Sequence, residues 1–149
     1  MALAALAFHP HEFEVGIAIC GVSNLVRHLE AKLEQPQTAR IYLQKIGDPV
    51  KDKAKLEAVS PALHAECIVK PLMVLHGAKD PRASKIESED IVARVKANGG
   101  VVEYLEFDDE AHGFRKRTNS IRAYQAILDF LDKYLSHLVD PSDERKSLT

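Results

Sequence analysis

PLMVLHGAKDPR, residues 71–82, is the stretch around which this 149-residue chain is organised. Its short apolar run Leu72–Leu75 is bounded by turn residues, which is typical of a strand buried on both faces of a parallel sheet. The polar turn 76–79 follows and delivers Asp80 in front of Pro81. Because ligands of open α/β sheets gather outside the carboxyl ends of the strands, Asp80 is a candidate functional residue. Taken alone, it is better explained as an ordinary Asp-Pro turn.

Strands and helices alternate along the rest of the chain. Further strands are predicted over Phe13–Cys20 and Val101–Phe107, and helices over residues 1–8, Val22–Leu33, Ser84–Asn98 and Ile121–Leu138. Short helical turns in residues 35–59 either cover the sheet or edge a pocket. This alternation predicts an α/β fold in three layers, with parallel strands and flanking helices joined by right-handed crossovers.

Composition excludes several classes of partner. An apolar content of 46%, a charged content of 28% and a net charge of −2 indicate a globular domain with no basic stripe for nucleic acid. The apolar segment 1–8 lacks a basic region and a cleavage site and is too short to span a membrane, so no membrane association is expected. Two cysteines, Cys20 and Cys67, are too few for a disulfide scaffold. We expect both to be reduced and buried in a cytoplasmic protein.

Two successive strand ends offer a carboxylate and an imidazole. Asp80 follows one strand and His112 lies in the loop after the next, so both loops should meet at one edge of the sheet. An Asp that holds one imidazole nitrogen allows the other nitrogen to act as a base. An α/β-hydrolase would also need a serine in a G-x-S-x-G turn. No serine of the chain has glycines on both sides at that spacing.

Several segments in the same order resemble the prolyl oligopeptidase family of serine peptidases, especially its acylaminoacyl peptidase and dipeptidyl peptidase branches. They are MALAA (1–5), ICGVSN (19–24), GDP (47–49), SP (60–61), GAKDPR (77–82), VEYL (102–105) and EAHGF (110–114). The resemblance implies a C-terminal portion of an α/β-hydrolase domain over residues 1–139, followed by a polar tail, 140–149. It implies that Asp80 and His112 are the acid and base of a Ser-Asp-His triad. Arg82 matches a position that binds a carbonyl group of a peptide substrate, and no cofactor is implied.

The resemblance also implies that the nucleophilic serine would lie about five residues before Met1, because the nucleophile turn leads directly into the helix that begins there. We therefore expect a truncated chain, as a gene product, an expression fragment or a remnant, that is inactive alone. The alternative is a non-catalytic remnant or a self-associating interaction module. Its first strand, Val15–Ile19, would then be an unpaired sheet edge that pairs with a second copy.

Two weaker patterns bear on metal and ligand binding. His64 and Cys67 lack a second ligand pair, so no metal site is predicted and a surface His beside a buried Cys is the better interpretation. The acidic run Asp108–Glu110 could bind a cation or a substrate amine, but a solvated turn is the simpler interpretation.

Overall fold

The computed structural model describes residues 1–34 and 36–136, and the predicted tail, 140–149, lies outside them. Its α-helices are α1 (Ala2–Phe8), α2 (Leu25–Leu33), α3 (Pro36–Lys45), α4 (Lys53–Ala58), α5 (Ile86–Ala97) and α6 (Arg117–Leu135). Its strands are β1 (Gly16–Ile19), β2 (Leu72–Gly77) and β3 (Val102–Phe107), and a 3₁₀ segment covers Pro61–Cys67. No helix of this described part is both long and apolar enough to cross a membrane.

The three strands form a parallel sheet in the order β1-β2-β3. Gly16 of β1 and Val102 of β3 both pair with Leu72, so β2 is the central strand. Every residue of β2 is buried, as the apolar run predicted. The prediction ended this strand at Leu75, which is wrong by two residues, because His76 and Gly77 continue the ladder opposite Glu106 and Phe107.

Helices cover both faces of the sheet, which confirms the three-layer α/β prediction. One face packs against α1, the 3₁₀ segment and α5, in a core that includes Leu6, Ile68, Val74, Ile91 and Val95. The other face packs against α6, in a core that includes Met73, Leu75, Phe107, Ala123 and Phe130.

Helices α2, α3 and α4 form a separate small cluster around Val26, Leu29 and Leu56. Of the two interpretations of this region, covering the sheet or edging a pocket, the second fits α2. His28 and Lys32 on α2 line a cavity of about 540 Å³ whose opposite wall includes Asp80. The Asn24 side chain caps α2 by accepting a hydrogen bond from the Arg27 N–H at 3.2 Å.

Some sequence predictions need correction. Strand β1 begins at Gly16 rather than at the predicted Phe13. Helix α6 begins at Arg117, four residues before the predicted Ile121. Helix α1 buries only one face, through Leu3, Leu6 and Ala7, although its sequence is apolar all round. Cys67 is exposed, whereas Cys20 is buried as expected.

Candidate active site

Asp80 is fixed in the turn that follows β2. Its Oδ1 atom accepts hydrogen bonds from the backbone N–H of Arg82 at 2.7 Å and of Ala83 at 3.0 Å. Its side chain has no exposed surface. The short polar side chain therefore closes the turn itself, as Asp does well, and its second oxygen remains for another partner.

That second partner is His112. Its Nδ1 atom lies 2.7 Å from Asp80 Oδ2, although 32 residues separate the two in sequence. A carboxylate accepts, so Nδ1 carries a proton. Nε2 has no hydrogen-bond partner among residues 1–34 and 36–136, and the side chain is 39% exposed. The arrangement is an imidazole held by a carboxylate through Nδ1, with Nε2 left for another partner.

The loop that carries His112 is held tightly against the turn that carries Asp80. The backbone N–H of Lys79 donates to Glu110 O at 2.9 Å. At Gly77 the approach is so close that a Cβ atom would lie 2.1 Å from Ala111 O. Glycine is required there because any side chain would collide with the neighbouring backbone.

Glu110 anchors the other side of the same loop. Its carboxylate accepts hydrogen bonds from the backbone N–H of Arg115 and Lys116, and from the amide of Asn119. These N–H groups precede or begin α6, where an acidic side chain is stabilising. Glu110 is only 4% exposed, so the interpretation of Asp108–Glu110 as a solvated turn is wrong for its last residue.

Opposing effects act on the Asp80 carboxyl group. Burial alone would raise its pKa, but hydrogen bonds from Ala83, Arg82 and His112 outweigh burial and hold the pKa below its ordinary value. The carboxylate is therefore charged at neutral pH.

Two further side chains enclose Asp80, and the sequence analysis assigned neither to the site. His76 Nε2 donates to Ala83 O at 3.0 Å and lies 3.6 Å from Asp80 Oδ2. Its Nδ1 accepts from Ser88 Oγ at 2.7 Å. Cys20 follows β1 with a left-handed φ of 49°. Burial raises the pKa of its thiol, and the Asp80 charge adds to the rise, against opposing backbone hydrogen bonds from Gly113 and Gly77.

A signal for His76 was present in the sequence. It directly follows a fully apolar run, and a polar residue that continues a buried strand needs partners for both ring nitrogens.

Arg82, the third predicted site residue, contributes its backbone rather than its side chain to the Asp80 turn. Its exposed side chain lines a cavity of about 300 Å³ together with His112 and Arg115. It also lines the 540 Å³ cavity beneath α2. Arg82 and His112 thus border the same cavity.

Ser23, the second residue after Gly21, is fully buried. Its Oγ donates to the backbone oxygen of Glu87 at 2.7 Å. The Glu87 carboxylate also binds Arg27 Nε at 2.8 Å. This network fastens α2 to α5.

The fold and the placement of these side chains define the chain as part of an α/β-hydrolase. The model of the prolyl oligopeptidase family matches residues 1–138, and the chain belongs to that family of serine peptidases.

Two curated relatives match 93% of the chain. They are dipeptidyl peptidase family member 6 of Caenorhabditis elegans, at 35% identity over 143 residues, and dipeptidyl aminopeptidase BIII of Pseudoxanthomonas mexicana, at 37% over 145 residues. The chain spans 19% and 21% of their respective lengths.

Among solved structures, a puromycin-hydrolyzing peptidase of Mycobacterium tuberculosis matches with a TM-score of 0.82 and 28% identity, over 89% of this chain and 20% of that one. The acylaminoacyl peptidase of Pyrococcus horikoshii matches with a TM-score of 0.77 at 23% identity, over 88% of this chain and 22% of that one, and supports the fold alone.

Proposed function

We propose that Asp80 and His112 are the acid and base of a serine peptidase whose nucleophilic serine lies outside these 149 residues. The observation that carries the proposal is the 2.7 Å hydrogen bond between His112 Nδ1 and Asp80 Oδ2. Two features support it further: Asp80 is immobilised by two backbone hydrogen bonds, and the chain corresponds to about a fifth of its relatives' length.

In this mechanism, His112 Nε2 takes the proton of the serine hydroxyl as the oxygen attacks the scissile carbonyl carbon. The imidazolium then gives that proton to the leaving amine. Asp80 keeps the ring in the required tautomer and stabilises its positive charge, and it remains ionised throughout. Hydrolysis of the acyl-enzyme repeats the cycle, with water as the nucleophile.

Arg82 is proposed to bind a carbonyl group of the peptide substrate. Its support is the exposed guanidinium beside the cavity that His112 lines. Because the Asp80 turn uses only the backbone N–H of Arg82, Arg82→Ala should leave that turn intact. In an active form of the enzyme, we expect this substitution to raise KM more than it lowers kcat.

The proposal is tested with a fluorophosphonate probe and chromogenic aminoacyl and acylaminoacyl substrates. The 149-residue chain should be neither labelled nor active. A form extended by its upstream coding sequence should be labelled at a serine in a G-x-S-x-G turn, and His112→Ala should abolish labelling. A probe adduct on any serine of residues 1–149 would contradict the proposal.

A second candidate function is self-association as a non-catalytic module. It is favoured by the position of β1 at the edge of the sheet, where Ile19 is 46% exposed. Such an edge offers unpaired backbone groups to a second copy of the chain. Size-exclusion chromatography with light scattering should show a dimer that Ile19→Lys disrupts. A monomer at high concentration would count against this function.

A further inference from the structure

Beneath His112, three side chains with metal-binding atoms converge. Cys20 Sγ, a ring nitrogen of His76 and an Asp80 carboxylate oxygen all lie within 4.8 Å of one another. Cys20 follows β1, His76 lies near the end of β2, and Asp80 lies in the turn after β2. The Cys20 N–H donates to Leu75 O at 2.9 Å, which joins the ends of the two strands. Parallel pairing of β1 with β2 therefore brings the thiol against the Asp80 turn.

The separation of two of these ligand atoms suits a small tetrahedral cation. Metal–ligand distances of about 2.0–2.3 Å place neighbouring ligand atoms about 3.3–3.8 Å apart. The separation of His76 Nε2 and Asp80 Oδ2, 3.6 Å, is already in that range. A thiolate, an imidazole and a carboxylate are the three ligand types that Zn²⁺ accepts, and its fourth position can hold water.

His76 can offer Nε2 to a cation by changing tautomer. To ligate through Nε2, it must move its proton to Nδ1 and give up its bond to Ala83 O. Nδ1 then donates to Ser88 Oγ, already 2.7 Å away, and a hydroxyl accepts as readily as it donates. An imidazole ligand whose other nitrogen is held by a hydrogen bond is the usual arrangement in metal sites.

We propose that Cys20, His76 and Asp80 form a binding site for one thiophilic divalent cation, Zn²⁺ or Cd²⁺. The Cys20 thiol loses its proton to solvent when the metal–sulfur bond forms. Asp80 Oδ2 turns from His112 to the cation, so His112 loses its hydrogen bond.

Binding itself does not depend on the proposed peptidase function, but its consequence does. If His112 is the catalytic base, a cation in this site inhibits the enzyme by removing the carboxylate that orients the ring. Cys20 then makes the activity sensitive to thiophilic metals.

The test is a Cd²⁺ titration of the 149-residue chain, kept reduced with a non-thiol reductant. Ultraviolet absorption of the Cd–thiolate bond reports sulfur ligation, and equilibrium dialysis with elemental analysis gives the stoichiometry. Cys20→Ser is the test variant, and Cys67→Ser is the matched control because Cys67 is exposed and outside the cluster. Circular dichroism establishes that both variants are folded, and Cys20→Ala replaces Cys20→Ser if the latter is not.

We expect one Cd²⁺ per chain, with thiolate absorption in the wild type and in Cys67→Ser. Cys20→Ser should lose the absorption and bind at least about tenfold more weakly. The imidazole NMR signals of His112 should shift on binding in the wild type but not in Cys20→Ser. Absence of thiolate absorption in the wild type, its persistence in Cys20→Ser, or its loss in Cys67→Ser would each overturn the site.

Discussion

Replacing Asp80 with Asn tests whether a charged carboxylate holds the site together. The carboxylate accepts three hydrogen bonds, from Arg82 N, Ala83 N and His112 Nδ1. Each loses about 1 kcal/mol when its acceptor becomes neutral, giving about 3 kcal/mol in total. The neutral Asn side chain costs less to bury than a charged carboxylate, which offsets part of this loss. Because the net effect on the Asp80 pKa is downward, the hydrogen bonds outweigh burial, and a destabilisation of about 1–2 kcal/mol is expected at pH 7.

The stability difference between the wild type and Asp80→Asn should depend on pH. The pKa of Asp80 is lower in the folded chain than in the unfolded chain, where it is about 3.9. The charged carboxylate therefore stabilises the fold fully at pH values above the unfolded-state pKa, and this stabilisation is lost as the pH falls through the folded-state pKa. The wild type should therefore lose its advantage over Asp80→Asn as the pH falls below about 4.

Urea unfolding of both proteins between pH 7 and pH 3 measures this difference in the free energy of unfolding. Asp108→Asn, an exposed acidic residue near the same loop, is the control and should change stability by less than about 0.5 kcal/mol. In an active form of the enzyme, Asp80→Asn should also lower kcat by about 10⁴-fold. Equal or greater stability of Asp80→Asn at pH 7 would refute the reasoning.

Two other substitutions test what positions the site. In Glu87→Gln, an amide NH₂ group faces the backbone N–H groups that now donate to the buried carboxylate. This change should lower the free energy of unfolding by about 2–3 kcal/mol, less than the loss of a fully buried ion pair, because Arg27 is a third exposed. Glu89→Gln is the control: it removes only the exposed ion pair with Lys85 and should cost below about 0.5 kcal/mol in the same urea titration. Similar losses in the two variants would contradict the Glu87 network between α2 and α5. Gly77→Ala drives a Cβ into backbone oxygens of the His112 loop and should cost about 3 kcal/mol. In Gly21→Ala the new Cβ meets only side chains, Leu3 at 3.4 Å and Ala18 at 3.8 Å, so this control should cost below about 1 kcal/mol in thermal unfolding. A comparably small loss in Gly77→Ala would show that the two loops are not packed as described.

The sequence predicted the parts of the fold that depend on local pattern. The apolar run Leu72–Leu75 identified the central strand, and the amphipathic spacing in residues 84–98 identified α5. Since consecutive parallel strands lie side by side, the order of elements was also enough to expect Asp80 and His112 at the same edge of the sheet.

Long-range contacts were beyond such patterns. Nothing local to Glu87 indicates that it binds the start of α2, 63 and 64 residues earlier in the chain. Likewise, Cys20 and Asp80 become neighbours only through the pairing of β1 with β2. The start of α6 was missed because its first turn, Arg117–Ser120, is polar. Nothing local indicated that Glu110 binds the backbone N–H groups of Arg115 and Lys116 just before the helix.

The tautomer of His112 tests the central claim most directly. Proton NMR of the 149-residue chain in water observes the imidazole Nδ1–H, which a bond to a buried carboxylate moves to low field and protects from exchange. We expect one such resonance that correlates with His112 and is absent in both Asp80→Asn and His112→Gln. A His112 ring protonated on Nε2 instead, or a resonance that survives in Asp80→Asn, would contradict the assignment of Asp80 and His112 as acid and base.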